Sequence, residues 1–556
     1  MTIITRSRTI ATAVSAVALA TALSTLGSAA APRFFNDDPV WVEHDTQNAT
    51  SITPIEVDLT TDLAYNFIVG GEPRNAVRAQ NVNSVDEVPD SSWFTNRVGR
   101  LPLSAEDVAR GPNRTNGPAA GIWIVTSSKS DGVTPGFTVK DAEGQRWFLK
   151  FDPPGFRGMS TGTEVAATKL MWALGYNVAE NHIAYLKREK LVVGDTAKFT
   201  PTSGRKRAMT SADIDRLLQR ADREPDGSYR VVASKAIDGT PIGRIRFYDT
   251  RPDDPNDVVP HQNRRELRGY GVFAAWLNHT DAKAINSIDT LVTENGRSYV
   301  RHYLLDFGSA LGSGGVGPAD HWSGAQYLVQ PKLVGQHMIG FGFVRPNWQT
   351  TKFYESRSIG RLPLVNETFD PRTWKARVPN QAFLHARTDD RFWAARKLAA
   401  LTTDMISAAV KAGDFRDPRS EAFLVRALAE RRDAILRAYL TGVNPIVEPV
   451  LTSGTLTFLN AAVEADVAPA PREYRAAWST FDNTTHETRM LSQSSSRVAS
   501  MEMPTSLPTT DGSFIKVALS SGGSTHASWS DPVDAYFRLR AGEWQLVGLE
   551  RMPHRD

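Results

Sequence analysis

No cysteine occurs in the 556 residues, so disulfides and a lipid-modified cysteine are both excluded. Whatever holds the fold must then be core burial. Excess charge of one sign is also missing. Sixty-four basic residues against 61 acidic leave a formal net charge of +3, which gives no electrostatic case for a nucleic-acid partner. Beyond the N-terminal stretch, no run is apolar enough to span a membrane. There is no His-Glu-x-x-His for zinc, and His261, His279, His302 and His321 lack ligand spacing. A Gly-x-Ser-x-Gly elbow is absent, and Ser203-Gly204-Arg205-Lys206 has none of the downstream motifs that a Ser-x-x-Lys nucleophile needs. No repeat of solenoid length is found. What remains is 41% hydrophobic and 22% charged, the balance of a soluble globular chain of about three units.

The opening segment, residues 1–30, differs from the rest. Arg6 and Arg8 precede an apolar, small-residue run from Thr9 to Leu26, and Ser28-Ala29-Ala30 offers a cleavage site. That is the layout of a secretory signal, with Pro32 disfavouring a cut directly after Ala31. The expected mature protein is soluble and without a membrane span, in a periplasm or outside the cell.

Residues 31–118 are rich in Asn, Asp, Pro and Ser but carry Trp41, Tyr65, Phe67 and Trp93, which suits an extension packed on a larger body. From Gly121 a three-strand meander is expected: Ile122–Val125, Phe137–Val139 and Arg146–Phe151. A helix follows, with Thr161 and Glu164 at capping-box spacing and Gly175 as its stop. Ile183–Leu186 and Val231–Ala233 read as further strands around a basic insert, Lys198–Asp226. The pattern then turns helical: Arg264–Leu277, Asp389–Gly413 and Arg419–Leu440. Residues 444–556 return to short strands, which predicts a small β-rich domain. The fold class expected is α+β.

The chemistry concentrates in one place. A helix ending near Leu277 runs into a loop holding Asp281, Lys283 and Asn286. A hairpin turning at Asn295-Gly296 then ends in Asp306-Phe307-Gly308. Two loops flanking one hairpin bring Asp281, Asn286 and Asp306 to the same end of it. Asn and Asp offer hard oxygen ligands of the kind magnesium takes alongside phosphate oxygens. Asp281 is then free to orient or deprotonate an attacking hydroxyl, and Lys283 to offset charge on a phosphoryl group in transfer.

His279-x-Asp281-x-Lys283-x-x-Asn286 resembles the catalytic loop of protein kinases, and Asp306-Phe307-Gly308 resembles their metal-binding triplet. The resemblance implies a two-lobed kinase-like fold, residues 119–240 forming an N-lobe and 241–441 a helical C-lobe. It implies Asp281 and Lys283 as catalytic residues, Asn286 and Asp306 as magnesium ligands, and ATP as the nucleotide. Lys150 would pair the α/β-phosphates, with Glu164 as its ion-pair partner. There is no Gly-x-Gly-x-x-Gly before Lys150, so phosphate cover falls to Ser127–Gly136, through the amides of Gly132 and Gly136. Thr280 stands where an arginine is usual, and no Ala-Pro-Glu follows Asp306. The pattern is more similar to atypical bacterial kinases of the HipA and CotH types. An exported phosphotransferase of unknown acceptor (protein, glycan or small molecule) is the leading expectation. The alternative is a catalytically inactive, nucleotide-binding or scaffold protein of the envelope.

Overall fold

The computed structural model describes residues 31–129, 134–201, 205–329, 347–365 and 369–552. The signal-like segment and Gly132 lie outside the described residues. The architecture is mixed α/β with several sheets. Among the described residues no helix is long and apolar enough to cross a membrane.

The meander is formed by β1 (Trp123–Ser128), β2 (Gly136–Lys140) and β3 (Arg146–Phe151), joined antiparallel. After β3 comes helix α1 (Met159–Ala173), then β4 (Asn181–Leu186), β5 (Leu191–Phe199), β6 (Arg207–Ala208), helix α2 (Ser211–Leu218) and β7 (Tyr229–Lys235). The seven strands make one sheet in the order β4-β7-β3-β2-β1-β5-β6, with β1 and β5 parallel. Strand β5 has no counterpart in the sequence reading. Gly194 and Asp195 interrupt its apolar pattern, and pairing with β1 and β6 makes it a strand. Alternation is otherwise clear. In β3, Trp147, Leu149 and Phe151 are buried in the sheet's own core with Val125, Val139 and Val231, which leaves Lys150 facing the other way.

Helix α1 corrects the capping-box reading. It starts at Met159, not Thr161, and its N-cap is Gly158 at φ +84°. Asp152, on the strand side of the turn, does the capping. It accepts from the Gly158 and Thr161 amides at 2.8 and 2.9 Å and from the Thr161 hydroxyl at 2.8 Å. Glu164 is thereby released from the helix start. Nearly every residue of α1 is buried, because the sheet lies on one side and the helical body on the other.

β8 (Thr240–Gly243) leads into the helical body, which begins with α3 (Arg265–Leu277). The hairpin β9 (Ser287–Glu294) and β10 (Arg297–Leu304) is in register from Ser287↔Leu304 to Glu294↔Arg297. Its turn is Asn295-Gly296, both at positive φ (51° and 76°), as a two-residue hairpin with right-handed twist requires. A short hairpin, β11 (Phe353–Ser356) and β12 (Gly360–Pro363), precedes three longer helices: α4 (Thr388–Ala399), α5 (Thr403–Ala412) and α6 (Pro418–Tyr439). The stretch read as one helix from Asp389 to Gly413 is therefore two. Thr402 breaks it, its hydroxyl accepting from the Met405 amide to cap α5. Phe273, Trp276, Trp393, Leu424 and Leu428 fill the core between these helices.

The last strands are β13 (Ile446–Thr452), β14 (Thr455–Asn460), β15 (Glu473–Phe481), β16 (Thr488–Ser496), β17 (Ser500–Glu502), β18 (Phe514–Gly522), β19 (Val533–Arg540) and β20 (Glu543–Arg551). They form a three-stranded sheet, β13-β14-β17, and a five-stranded antiparallel one, β16-β15-β18-β19-β20. The N-terminal extension ties this region to the body. Phe34 packs against Phe481, Phe514 and Tyr536, while Trp93 stacks on His302 and Phe94 is buried against Tyr176 and Trp393.

Candidate functional site

Three segments far apart in sequence meet at the Lys150 ammonium. Nζ lies 2.9 Å from Glu164 Oε2 on α1 and 2.8 Å from Asp306 Oδ1 after β10. Glu164 also accepts from the Phe307 and Gly308 amides, each at 3.0 Å, so both its oxygens are used. A side chain at position 308 would put its Cβ 3.1 Å from Glu164 Oε2, which explains why glycine stands there. Asp306 itself adopts a left-handed conformation at φ +59°, tolerable for aspartate. The turn rotates its carboxylate toward Lys150 while the next two amides turn to Glu164.

The electrostatics follow from burial and pairing. Burial pushes the Asp306 carboxyl up, but Lys150 and Lys129 outweigh it and hold it down at about 2. Burial opposes the charged form of Lys150, yet Asp306 and Glu164 keep it well above the ordinary lysine range. Asp306 is an anion and Lys150 a cation at any physiological pH.

A second cluster sits in the loop after α3. Asn278 ends the helix in left-handed conformation, φ 51°, and its Oδ1 accepts from Trp374 Nε1 at 2.9 Å. The loop is held from outside by the Arg377 amide, which donates to Thr280 O at 2.8 Å. Lys283 Nζ is 2.7 Å from Asp281 Oδ1. Asn286 Nδ2 donates to Asp281 O at 2.7 Å and to Asp281 Oδ2 at 3.0 Å. Since the amide nitrogen is engaged, Asn286 presents its oxygen. The Leu305 amide donates to Asn286 O at 2.9 Å, which locks this cluster to the start of the Asp306 turn. His279 lies between the two clusters, buried against Phe307, and burial lowers its pKa despite the charges of Asp281 and Asp306.

The residues present fit magnesium. The Asp306 side chain is 38% exposed with Oδ1 on Lys150, and the Asn286 main chain is tied to the start of the Asp306 turn through the Leu305 amide. Among the described residues no group of three or more His, Cys, Asp or Glu side chains could hold a metal. One carboxylate and one amide oxygen suit a cation that takes its other ligands from phosphate and water.

Of the residues singled out from sequence, Lys150, Glu164 and Asp306 are in direct contact, and Asp281, Lys283 and Asn286 form the adjoining cluster. Gly136 lies directly across from Lys150 in the β2–β3 register. Lys129, just past β1, was passed over. Its charge reaches Asp306, and the only sequence signal was its place within the Ser127–Gly136 segment.

Neither a known family profile nor a curated protein matches the chain. Among solved structures it is similar to the Helicobacter pylori proinflammatory kinase CtkA, at 13% identity and a TM-score of 0.27, over 55% of this chain and 90% of that one. It is also similar to the Golgi casein kinase, at 10% identity and a TM-score of 0.27, over 72% of this chain and 95% of that one. A structure of the Golgi casein kinase with Mn/ADP bound gives the same identity and coverage and a TM-score of 0.28. Superpositions this loose leave the functional reading to rest on the side chains above.

Proposed function

We propose that this chain is an exported, Mg-ATP-dependent phosphotransferase with a two-lobed kinase-like body, of the atypical bacterial kind resembling HipA- and CotH-type kinases. The observation that carries the reading is the ion triad Lys150–Glu164–Asp306, which joins a strand, a helix and a loop 156 residues from Lys150. A purely structural role would not require Asp306 to stay over a third exposed while Glu164, the other carboxylate on Lys150, is buried.

In this reading Asn286 and Asp306 hold the magnesium ion, which supplies charge neutralisation on the phosphates when bound. Lys150, oriented by Glu164, binds the α/β-phosphates. Asp281 orients the acceptor hydroxyl and takes its proton as the new O–P bond forms and the bond to the nucleoside diphosphate breaks. Lys283, 2.7 Å from Asp281, steadies that carboxylate and offsets charge on the phosphoryl group. Tying Lys283 to Asp281 leaves the pair poised between acceptor and phosphate. The acceptor remains a hydroxyl of protein, glycan or small molecule.

Incubation with γ-labelled ATP and magnesium tests this. Label should reach water, the protein itself or an added acceptor with wild type and not with Asp281→Asn. Equal release by both proteins would remove Asp281 from the chemistry, and none by either would favour a binding role.

A further inference from the structure

The phosphate cover of the site has no glycine-rich motif, yet the geometry of β1 and β2 supplies another device. The Lys129 amide donates to Gly136 O at 2.9 Å, and Gly136 stands opposite Lys150 in the β2–β3 ladder. Lys129, Gly136 and Lys150 therefore form one cross-strand row, the two lysines roughly 10 Å apart at the backbone, about two strand spacings. Only glycine fits the middle position: a Cβ at 136 would fall 2.4 Å from Leu149 O and 3.5 Å from Lys129 Cβ. Gly136 itself puts no side chain between the two lysines.

The start of the β2 side also comes close to the chain downstream of Asp306. A Cβ at Gly315, downstream of Asp306, would lie 3.7 Å from Thr134 Oγ1 and 3.4 Å from Ser309 Oγ, so the β2 end of the connection meets the segment after the triplet. Ser160 on α1 holds that segment by donating to Gly315 O at 2.6 Å. Lys129 is half-buried, and its charge acts on Asp306 second only to that of Lys150 among the cations. Its place in the cross-strand row puts Lys129 on the same face of the sheet as Lys150.

We propose that Lys129 is a second phosphate-binding cation, contacting the terminal phosphates of the nucleotide from above, with Gly136 keeping the space between it and Lys150 open. The inference rests on the phosphotransferase reading and adds a residue to it. A point charge on a flexible stem does here what backbone amides of a glycine-rich loop do elsewhere. Its contribution depends on the phosphates and not on the base.

Calorimetric titration of the full chain with Mg-ATP, Mg-ADP and adenosine tests it. Lys129→Ala and Lys129→Gln should each weaken Mg-ATP binding by about tenfold or more, the worth of a charge-assisted contact. Mg-ADP should lose less, adenosine nothing, and Lys129→Arg should restore most of the Mg-ATP affinity. Unliganded melting temperatures of all three variants, near wild type, show that folding is intact. If wild type binds Mg-ATP and Lys129→Gln binds it equally well, the role of Lys129 is refuted while the phosphotransferase reading stands. Equal weakening toward adenosine also refutes it. Failure of wild type to bind Mg-ATP would overturn both.

Discussion

Two of the charge clusters among the described residues are built on opposite plans. Around Arg265, on α3, every group is sealed and paired. The guanidinium contacts Asp86 at 2.7 Å, Asp389 at 3.1 Å and Asp390 at 3.0 Å, while Arg268 takes the other oxygen of Asp390 at 2.9 Å. No side chain in that set is more than 8% exposed. The cluster joins the extension, through Asp86, to α3 and α4. Around Lys150 the same kind of pairing stops short, because the Asp306 side chain stays 38% exposed. A buried charge must be neutralised within the protein or by a ligand. The first cluster is complete by itself, and in the proposed function the second is completed by Mg-nucleotide.

Breaking the sealed cluster should have the largest effect. Arg265→Ala leaves Asp86, Asp389 and Asp390 buried without their common partner, and a broken buried pair costs about 3–5 kcal/mol. Urea unfolding should show a loss of this size, or no folded protein at all. A loss under 1 kcal/mol would mean that water or Arg78 takes over neutralisation.

Asp281→Asn strikes the open cluster at its chemistry. Turnover should fall about a hundredfold, the lower range for a positioned general base, while Mg-ATP affinity stays within a factor of two or so. A matched fall in affinity would move Asp281 into the binding role.

A buried amine without a carboxylate gives the most specific effect, one read in its pH dependence. Lys169 on α1 is buried, its Nζ donating to Arg110 O at 2.8 Å, and burial lowers its pKa from 10.5 to about 8. Below pH 8 both folded and unfolded chains carry the proton, and the folded state bears the full cost of burying the charge. Between about 8 and 10.5 the folded chain releases the proton while the unfolded chain keeps it, so wild type gains stability as pH rises. Lys169→Met lacks this term. The melting temperature of the variant relative to wild type should therefore fall across that window, and a constant difference would contradict the shifted pKa.

What the sequence revealed and what it hid separate along the same line of local against distant. The β9–β10 hairpin was legible because Asn295-Gly296 encodes its turn locally, and with it the nearness of Asn286 and Asp306. The capping-box spacing of Thr161 and Glu164 misled because the real cap, Asp152, precedes the helix and reaches it only through the turn at Gly158, while Glu164 pairs with Lys150. Strand β5 was hidden because its pairing with β1 is a tertiary fact, and the split of the Asp389–Gly413 stretch because Thr402 fits both helix and cap. Lys129 carries no motif. Its meaning comes only from Gly136 and Lys150 on neighbouring strands.

The most direct test of an open charge cluster awaiting Mg-nucleotide is thermal melting with ATP in the presence of magnesium and of a chelator. A ligand that binds only the native state adds RT ln(1 + [L]/Kd), about 2.7 kcal/mol at a hundredfold excess over Kd. Wild type should melt several degrees higher with Mg-ATP than with ATP and chelator. Asp306→Asn should lose that magnesium-dependent rise while melting near wild type when unliganded. A wild type that shows no magnesium-dependent shift at millimolar nucleotide would contradict the account.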